Sequence, residues 1–377
     1  MQPEIELGVN SRIAVLLDGW PLIHQPNSPA ALHLHSLLAY NPADVEAILA
    51  LPGEPPEWLA VGALYQVPLS PQDGETTPDT PGGRLRWEQR TLPAIARKCR
   101  VDLIHLTGIR PPLFSNIPCL TSPAEFLKGW RTSGFLSRVR EAMGAGGRSR
   151  LAGVLWPSDL PPPFKDIPLY QVPPVVPPPF WEALAPQASD WSALDLPDTY
   201  ILFHGPQDEG ALRRVLEAWS WAAGAVGDIY PLVLLDLAES GQARLRELAT
   251  EYGVANTVRG LAPMALNMLA SVYLQCAAIF HPMEITPWAG AVRLGLACAK
   301  PVVTAESYFA DALVGPAAYL RPMDDVRGLG AALITVIVEE DLAASLQEAA
   351  RQRAAAWRPD SFREGLKRAY RSALGVK

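Results

Sequence analysis

Short apolar runs alternate with stretches of helical periodicity along most of the chain. RIAVLLD from Arg12 reads as a first strand and AALHLHSLLAY from Ala30 as the helix after it. WEQRTLPAIARKC from Trp87 reads as a helix leading into the strand VDLIHL at Val101. From Tyr200 the alternation is more regular: strand YILFHG, helix LRRVLEAWSWAA, strand YPLVLLDL, helix ARLRELATEYG, strand NTVRGL. Helix MALNMLASVYLQC, strand AAIFHP, helix AGAVRLGLACA and strand KPVVTAE continue it. Such a series of βα units predicts parallel sheets wound right-handedly, with helices on both faces. Ser361-x-x-Glu364 reads as a capping box opening a last helix, with Phe362, Leu366, Tyr370 and Leu374 on or near one face.

Two stretches break the pattern. Residues 73–83 have the polar, Gly- and Pro-rich makeup of a loop. Between Trp156 and Pro186 proline is so frequent that no helix should persist and strands should be short. Its interspersed Val, Ile, Leu and Phe suggest packed, extended chain rather than a ligand for aromatic grooves, so it is the natural domain boundary. The 377 residues suffice for two domains, and 49% hydrophobic residues exclude disorder of the whole chain even though 38 residues are Pro.

The net charge of −7 hides a block pattern. Residues 1–83 hold ten acids and one base, Arg12, whereas residues 84–150 hold thirteen bases and four acids. Overall acidity speaks against nonspecific nucleic-acid binding. The basic block is either a local surface facing an anionic ligand or membrane, or a solvated face with scattered charges. No run approaches the ~20 apolar residues of a membrane span, and MQPEIELGVNSR has no apolar core of the kind a signal peptide requires, so the chain reads as soluble and cytoplasmic. Cys99, Cys119, Cys276 and Cys298 show no CxxC spacing and read as small core residues, not as a disulfide framework or zinc site. His33 and His35 lie two apart and cannot share a helix face, which argues against a metal pair. P-loop, nucleophile-elbow and HExxH motifs are missing.

His204 and His281 end two strands of the second half, where open α/β sheets place ligands beyond the strand C-termini. Each either donates to a phosphate or sugar or is a neutral imidazole bonded to a loop carbonyl. Lys300, ahead of the Pro-Val-Val strand, is either a cation for a ligand or solvent-facing. Trp288 reads as loop packing, and Trp191, Trp219 and Trp221 as core or interdomain packing.

The order of these blocks resembles a family 4 glycosyltransferase of the GT-B type. RIAVLLDGWPL resembles the family's opening strand, WEQRTLPAIARKCRVDLIHL its helix and strand before the cleft, and QVPPVVPPPF the crossing to the second domain. YILFHG, VRGLAPMALNMLASVYLQCAAIFHP, CAKPVVTAES and LVGPAAYLRPMDD follow in order, and AWRPDSFREGLKRAYRSAL resembles the terminal segment that crosses back. The resemblance implies two facing, doubly wound Rossmann-like domains. Residues 1–177 are then the acceptor-side domain, 178–357 the nucleotide-sugar-side domain and 358–377 a helix returning to the first. It implies retaining transfer from a nucleotide-sugar co-substrate to an acceptor, with no metal and no tightly bound cofactor. Cations and helix N-termini would hold the diphosphate, and a carboxylate would grip sugar hydroxyls.

The residues depart from that pattern. The family's strand-end Gly is Gly205, but the Arg after it is Pro206, and its phosphate-binding Lys-Gly pair falls on Glu209-Gly210. An ungapped alignment puts Thr286 and Leu294 at the family's two glutamates, with Glu284 two residues ahead of the first. The first βα loop, HQPNSPAALH, has Pro29 and no Gly, and CLTSPAEF from Cys119 lacks the His of a His-Asp pair. His105 resembles an acceptor-side cleft position. Two functions follow as alternatives: a glycosyltransferase with its donor site rebuilt around His204, Gln207, Glu284 and Lys300, or a catalytically silent homologue acting as a binding module or partner subunit of another protein.

Overall fold

The computed structural model describes residues 12–54, 66–67, 79–108, 111–113, 115–124, 151–162, 167–182, 194 and 196–376. The whole of the basic block beyond residue 124, together with Trp191, lies outside them.

Two parallel sheets organise the chain. The first comprises β1 (Ile13–Asp18), β2 (Val45–Ala50), β3 (Gln66–Val67), β4 (Leu103–Leu106), β5 (Cys119–Thr121), β6 (Leu151–Pro157) and β7 (Leu169–Val172), in the order β3-β2-β1-β4-β5-β6-β7. The second comprises β8 (Ile201–Phe203), β9 (Leu232–Leu234), β10 (Val258–Gly260), β11 (Ala278–His281), β12 (Val302–Ala305) and β13 (Ala318–Arg321), in the order β10-β9-β8-β11-β12-β13. The order reverses between β1 and β4 and between β8 and β11, which opens a crevice beyond the strand C-termini at each point. Residues IAVLLD and AIFH are almost continuously buried, as strands covered on both faces require.

The helices are α1 (Trp20–His24), α2 (Pro29–Ala39), α3 (Pro81–Arg86), α4 (Leu92–Lys98), α5 (Pro178–Glu182), α6 (Glu209–Val226) and α7 (Glu239–Glu251). They continue as α8 (Leu266–Gln275), α9 (Ala291–Ala297), α10 (Ala310–Val314), α11 (Val326–Val338), α12 (Glu340–Ala354) and α13 (Pro359–Leu374). A π turn, Trp87–Thr91, joins α3 to α4, so helix begins at Pro81, inside the stretch assigned to loop. Thr80 explains the early start, since its side chain accepts from the Gly83 amide. Within the Pro-rich stretch, α5 is a single short helix that opens on proline, where no amide donor is needed.

The last helix starts earlier than the capping box predicts. Arg358 occupies the cap position without a side-chain bond and Pro359 sets the first turn, so Ser361 lies inside the helix. The helix ends at Gly375, whose φ of 68° suits a residue without Cβ. As expected from its apolar stripe, α13 buries Phe362, Leu366 and Tyr370, and it packs on β6 and β7 of the first sheet. Cys119, Cys276 and Cys298 are buried and Cys99 is half-buried. Trp219 is buried but Trp221 is 51% exposed, so these two do not form one core cluster.

The two halves share apolar cores. Leu32, Val154, Trp156 and Leu160 from the first sheet's side join Tyr273, Val292, Leu294 and Trp357 from the second. In return Trp288 enters the core formed by Leu17, Leu34, Leu120 and Phe362.

Candidate functional site

Strand C-termini of both sheets meet in the seam between the halves, where three polar clusters form. In the first, His204 follows β8 and Asp236 lies two residues past β9. His204 Nε2 is 2.7 Å from Asp236 Oδ2, and His204 Nδ1 is 2.7 Å from the Tyr273 hydroxyl. Burial raises the Tyr273 phenol well above its ordinary value, so it stays protonated and can donate to Nδ1 while Nε2–H donates to the carboxylate. The other Asp236 oxygen accepts from Asn27 Nδ2 at 2.8 Å, and Asn27 also donates to the Met264 carbonyl. Asp236 has a φ of 64°, a conformation that Asp tolerates better than most residues.

The second cluster is a buried relay. Tyr370 on α13 lies 2.8 Å from His105 Nδ1. His105 Nε2 is 2.8 Å from Ser122 Oγ, which is 3.0 Å from His33 Nε2. Burial pushes the His105 imidazole down to about 3 and that of His33 well below its ordinary value, so both are neutral. With Tyr370 donating to His105 and Ser122 donating to His33, every hydroxyl proton is used. The His33 ring stacks on Trp288 from the second half, with centroids 4.2 Å apart.

The third cluster holds a buried cation. Arg293 is fully buried and makes two hydrogen bonds to Asp159, at 2.8 and 3.1 Å, and a third to the Pro287 carbonyl. Its guanidinium also lies 4.7 Å from the Trp357 ring centroid. Arg293 is thereby neutralised from across the seam.

The residues singled out from the sequence are distributed unevenly. His204, Gly205, Gln207, Glu284 and Thr286 lie just beyond the C-terminal ends of β8 and β11, and His281 is the last residue of β11. Gln207 donates to the Leu235 carbonyl, and His281 Nε2 lies 3.2 Å from the Glu284 carbonyl oxygen, with burial lowering the His281 imidazole to about 4. Thr286 Oγ1 is buried without a hydrogen-bond partner among the described residues, and a Cβ on Gly290 would come within 1.9 Å of it. Glu209 and Gly210 open α6. Glu209 is exposed and paired with Arg213 and Arg244, while Gly210 and Ala211 amides donate to the N-cap carboxylate of Asp208. Lys300 is not brought to the seam: it precedes β12, at the strand's opposite end, where Cys276 and Cys298 sense its charge. Neither is His105 open to the seam, since both its ring nitrogens are bonded inside the first half.

Asn27, Ser122, Asp159, Asp236, Tyr273 and Arg293 were not singled out by the sequence, and Tyr370 was read there only as a packing position of the last helix. The legible signals were a charge interrupting the apolar run PLVLLDLA and a lone Arg in the apolar helix AGAVRLGLACA. Among the described residues no group of three or more His, Cys, Asp or Glu side chains is placed to hold a metal.

Many solved structures share this architecture. A glycosyltransferase from Rickettsia africae matches with a TM-score of 0.62 over 97% of this chain and 100% of its own, at 14% identity. The fold is GT-B. Sucrose-phosphate synthase from Thermosynechococcus elongatus matches with a TM-score of 0.59 over 97% of this chain and 100% of its own, at 16% identity. Anabaena HepE, solved in complex with UDP-glucose, matches with a TM-score of 0.61 over 94% of this chain and 98% of its own, at 14% identity. No protein-family model and no curated protein matches the sequence. No helix of the described residues is long and apolar enough to cross a membrane.

Proposed function

We propose that this chain is a catalytically silent member of the glycosyltransferase family it resembles, a soluble cytoplasmic protein that serves as a binding module or as the partner subunit of another protein. In this reading residues 1–177 are the acceptor side of the ancestral cleft, 178–357 the nucleotide-sugar side and 358–377 the returning helix. The observation that carries it is the Asp208 carboxylate on the Gly210 and Ala211 amides. The resemblance puts the donor phosphate at this helix N-terminus, and a fixed carboxylate there takes up the amide donors and repels a phosphate. At 4 Å and an effective dielectric of 20 that repulsion is about 4 kcal/mol. Fully buried Leu294, where the family has a glutamate, supports the same reading.

Calorimetric titration with UDP-, GDP- and ADP-sugars tests it. Binding weaker than millimolar is expected for every donor. Micromolar binding of any one overturns the proposal and favours a glycosyltransferase using that nucleotide sugar as co-substrate, with its site rebuilt beside His204, Gln207 and Glu284.

A further inference from the structure

Each half sends one segment into the other. Ahead of α2, Asn27 Nδ2 donates to Asp236 and to the Met264 carbonyl, which brings the start of that helix against the second half. Leu32, one turn into α2, is buried in the core that holds Ile285, Ala289 and Val292. The next residue, His33, lays its ring on Trp288. In the opposite direction the loop 285–290, past β11, reaches into the first half. Among the described residues of the core formed by Leu17, Leu34 and Leu120, Trp288 alone comes from 178–357.

The loop is built to hold that one side chain out. Ile285 and Ala289, on either side of Trp288, stay buried with Tyr273 and Val292. The Trp288 carbonyl accepts from the Gly290 amide at 2.7 Å, and a Cβ on Gly290 would collide with Thr286 Oγ1, so the loop closes this tightly only around glycine. The Pro287 carbonyl accepts from Arg293 Nη2, and Asp159 of the first half grips the same guanidinium.

Domains joined by a linker move relative to one another by default, and a large apolar interface is what stops them. Here the interface is an exchange. Parting the halves has to withdraw Leu32 from one core and Trp288 from the other, which leaves a void in each close-packed interior. Thr286 and Leu294, the positions that the resemblance gives to the donor-gripping glutamates, flank Trp288, so this stretch of the second half is taken up by contact with the first. The polar atoms of the stacked rings add nothing: Trp288 Nε1 and His33 Nδ1 are buried without a hydrogen-bond partner among the described residues. Ring burial and stacking therefore hold the contact.

We propose that Leu32 and Trp288 form a reciprocal clasp that keeps the two halves in one closed arrangement, a built-in latch that shuts the crevice between them. The clasp stands on these contacts and not on the silent reading of the cleft, so either can fail alone.

Double electron–electron resonance on the full chain tests it. Nitroxide labels are placed at Ala94→Cys on α4 and Ala243→Cys on α7, both exposed, with half-buried Cys99 replaced by Ser and the three buried cysteines left in place. Circular dichroism verifies that each variant folds. One narrow distance is expected, unchanged by millimolar UDP-glucose. Leu32→Ala and Trp288→Ala empty the clasp from opposite sides, and each should add a second distance carried by roughly a tenth of the molecules or more. Trp288→Phe loses only the unpartnered N–H and should keep the single distance. A broad or two-peaked distribution in the labelled parent overturns the proposal, as does a distance that UDP-glucose shifts or one that neither alanine variant alters. A narrow distance that persists in UDP-glucose supports the clasp whether or not the donor binds, and calorimetry decides the silent reading separately.

Discussion

Asn27 and Asp236 are 209 positions apart in the chain and 2.8 Å apart in space, joined by a hydrogen bond that crosses the seam between the two halves. Asp236 also accepts from His204, so one carboxylate ties the loop before α2 to two strand ends of the second sheet. Asp236→Ala leaves two buried donors unpaired, each worth about 1–3 kcal/mol. A loss of roughly 2–4 kcal/mol in urea unfolding is therefore expected. Asn27→Ala should cost about 1 kcal/mol, because His204 keeps its acceptor. An equal cost for the two variants would contradict the bridging role given to Asp236.

Arg293 and Asp159 test a different link across the seam. Asp159→Ala strands the fully buried Arg293 charge and should cost about 3–5 kcal/mol, whereas Arg293→Ala should cost less, because Asp159 is partly exposed and keeps Arg353 at 4.0 Å. The double variant should cost less than the sum of the two, because neither charge is then left alone. Strict additivity in a double-mutant cycle, read by denaturant unfolding, would show that the pair does not couple the halves.

The outline of these clusters was only partly legible in the sequence. Every strand and helix read between Tyr200 and Glu306 is present, because buried parallel strands are continuous apolar runs and their helices carry periodic apolar positions. Arg293 was visible as a lone charge in an apolar helix, but its partner lies 134 residues away, and periodicity carries no information about such pairings. His105 lies one residue before the end of the apolar strand β4 and so reads like a ligand contact. What turns it inward is Tyr370, supplied by the returning helix 265 residues later. Lys300 failed for a simpler reason: residues preceding a parallel strand lie at the edge away from the crevice.

Leu294 distinguishes a packed core from a lined site. It is fully buried in the core shared by the two halves, beside Val292 and Leu296. Leu294→Ala should cost about 2–5 kcal/mol of stability, as truncation of a core leucine does. A cost near zero, read as an unchanged denaturation midpoint, would mean that the side chain faces an open cleft, and it would revive the donor-site reading.

The buried histidines make stability depend on pH in a definite direction. Burial lowers His105 to about 3 and His281 and His35 to about 4, and it pushes His33 well below its ordinary 6.5. In the unfolded chain these imidazoles bind protons near 6.5, so below that pH the unfolded state holds more protons than the folded one. The stability is thus fully present above pH 6.5 and is lost as pH falls toward the folded values, each histidine contributing up to about 1.4 kcal/mol per pH unit. Asp18, whose carboxyl burial raises, works in the opposite sense above its ordinary 3.8, so the comparison is best made between variants. Urea midpoints measured from pH 7 to pH 5 should fall less steeply for His105→Gln than for the wild type, by roughly 1.4 kcal/mol per unit at the acid end. Equal slopes would show that His105 takes up its proton in the folded state, and the Tyr370–His105–Ser122–His33 relay would then be charged at mildly acidic pH instead of neutral.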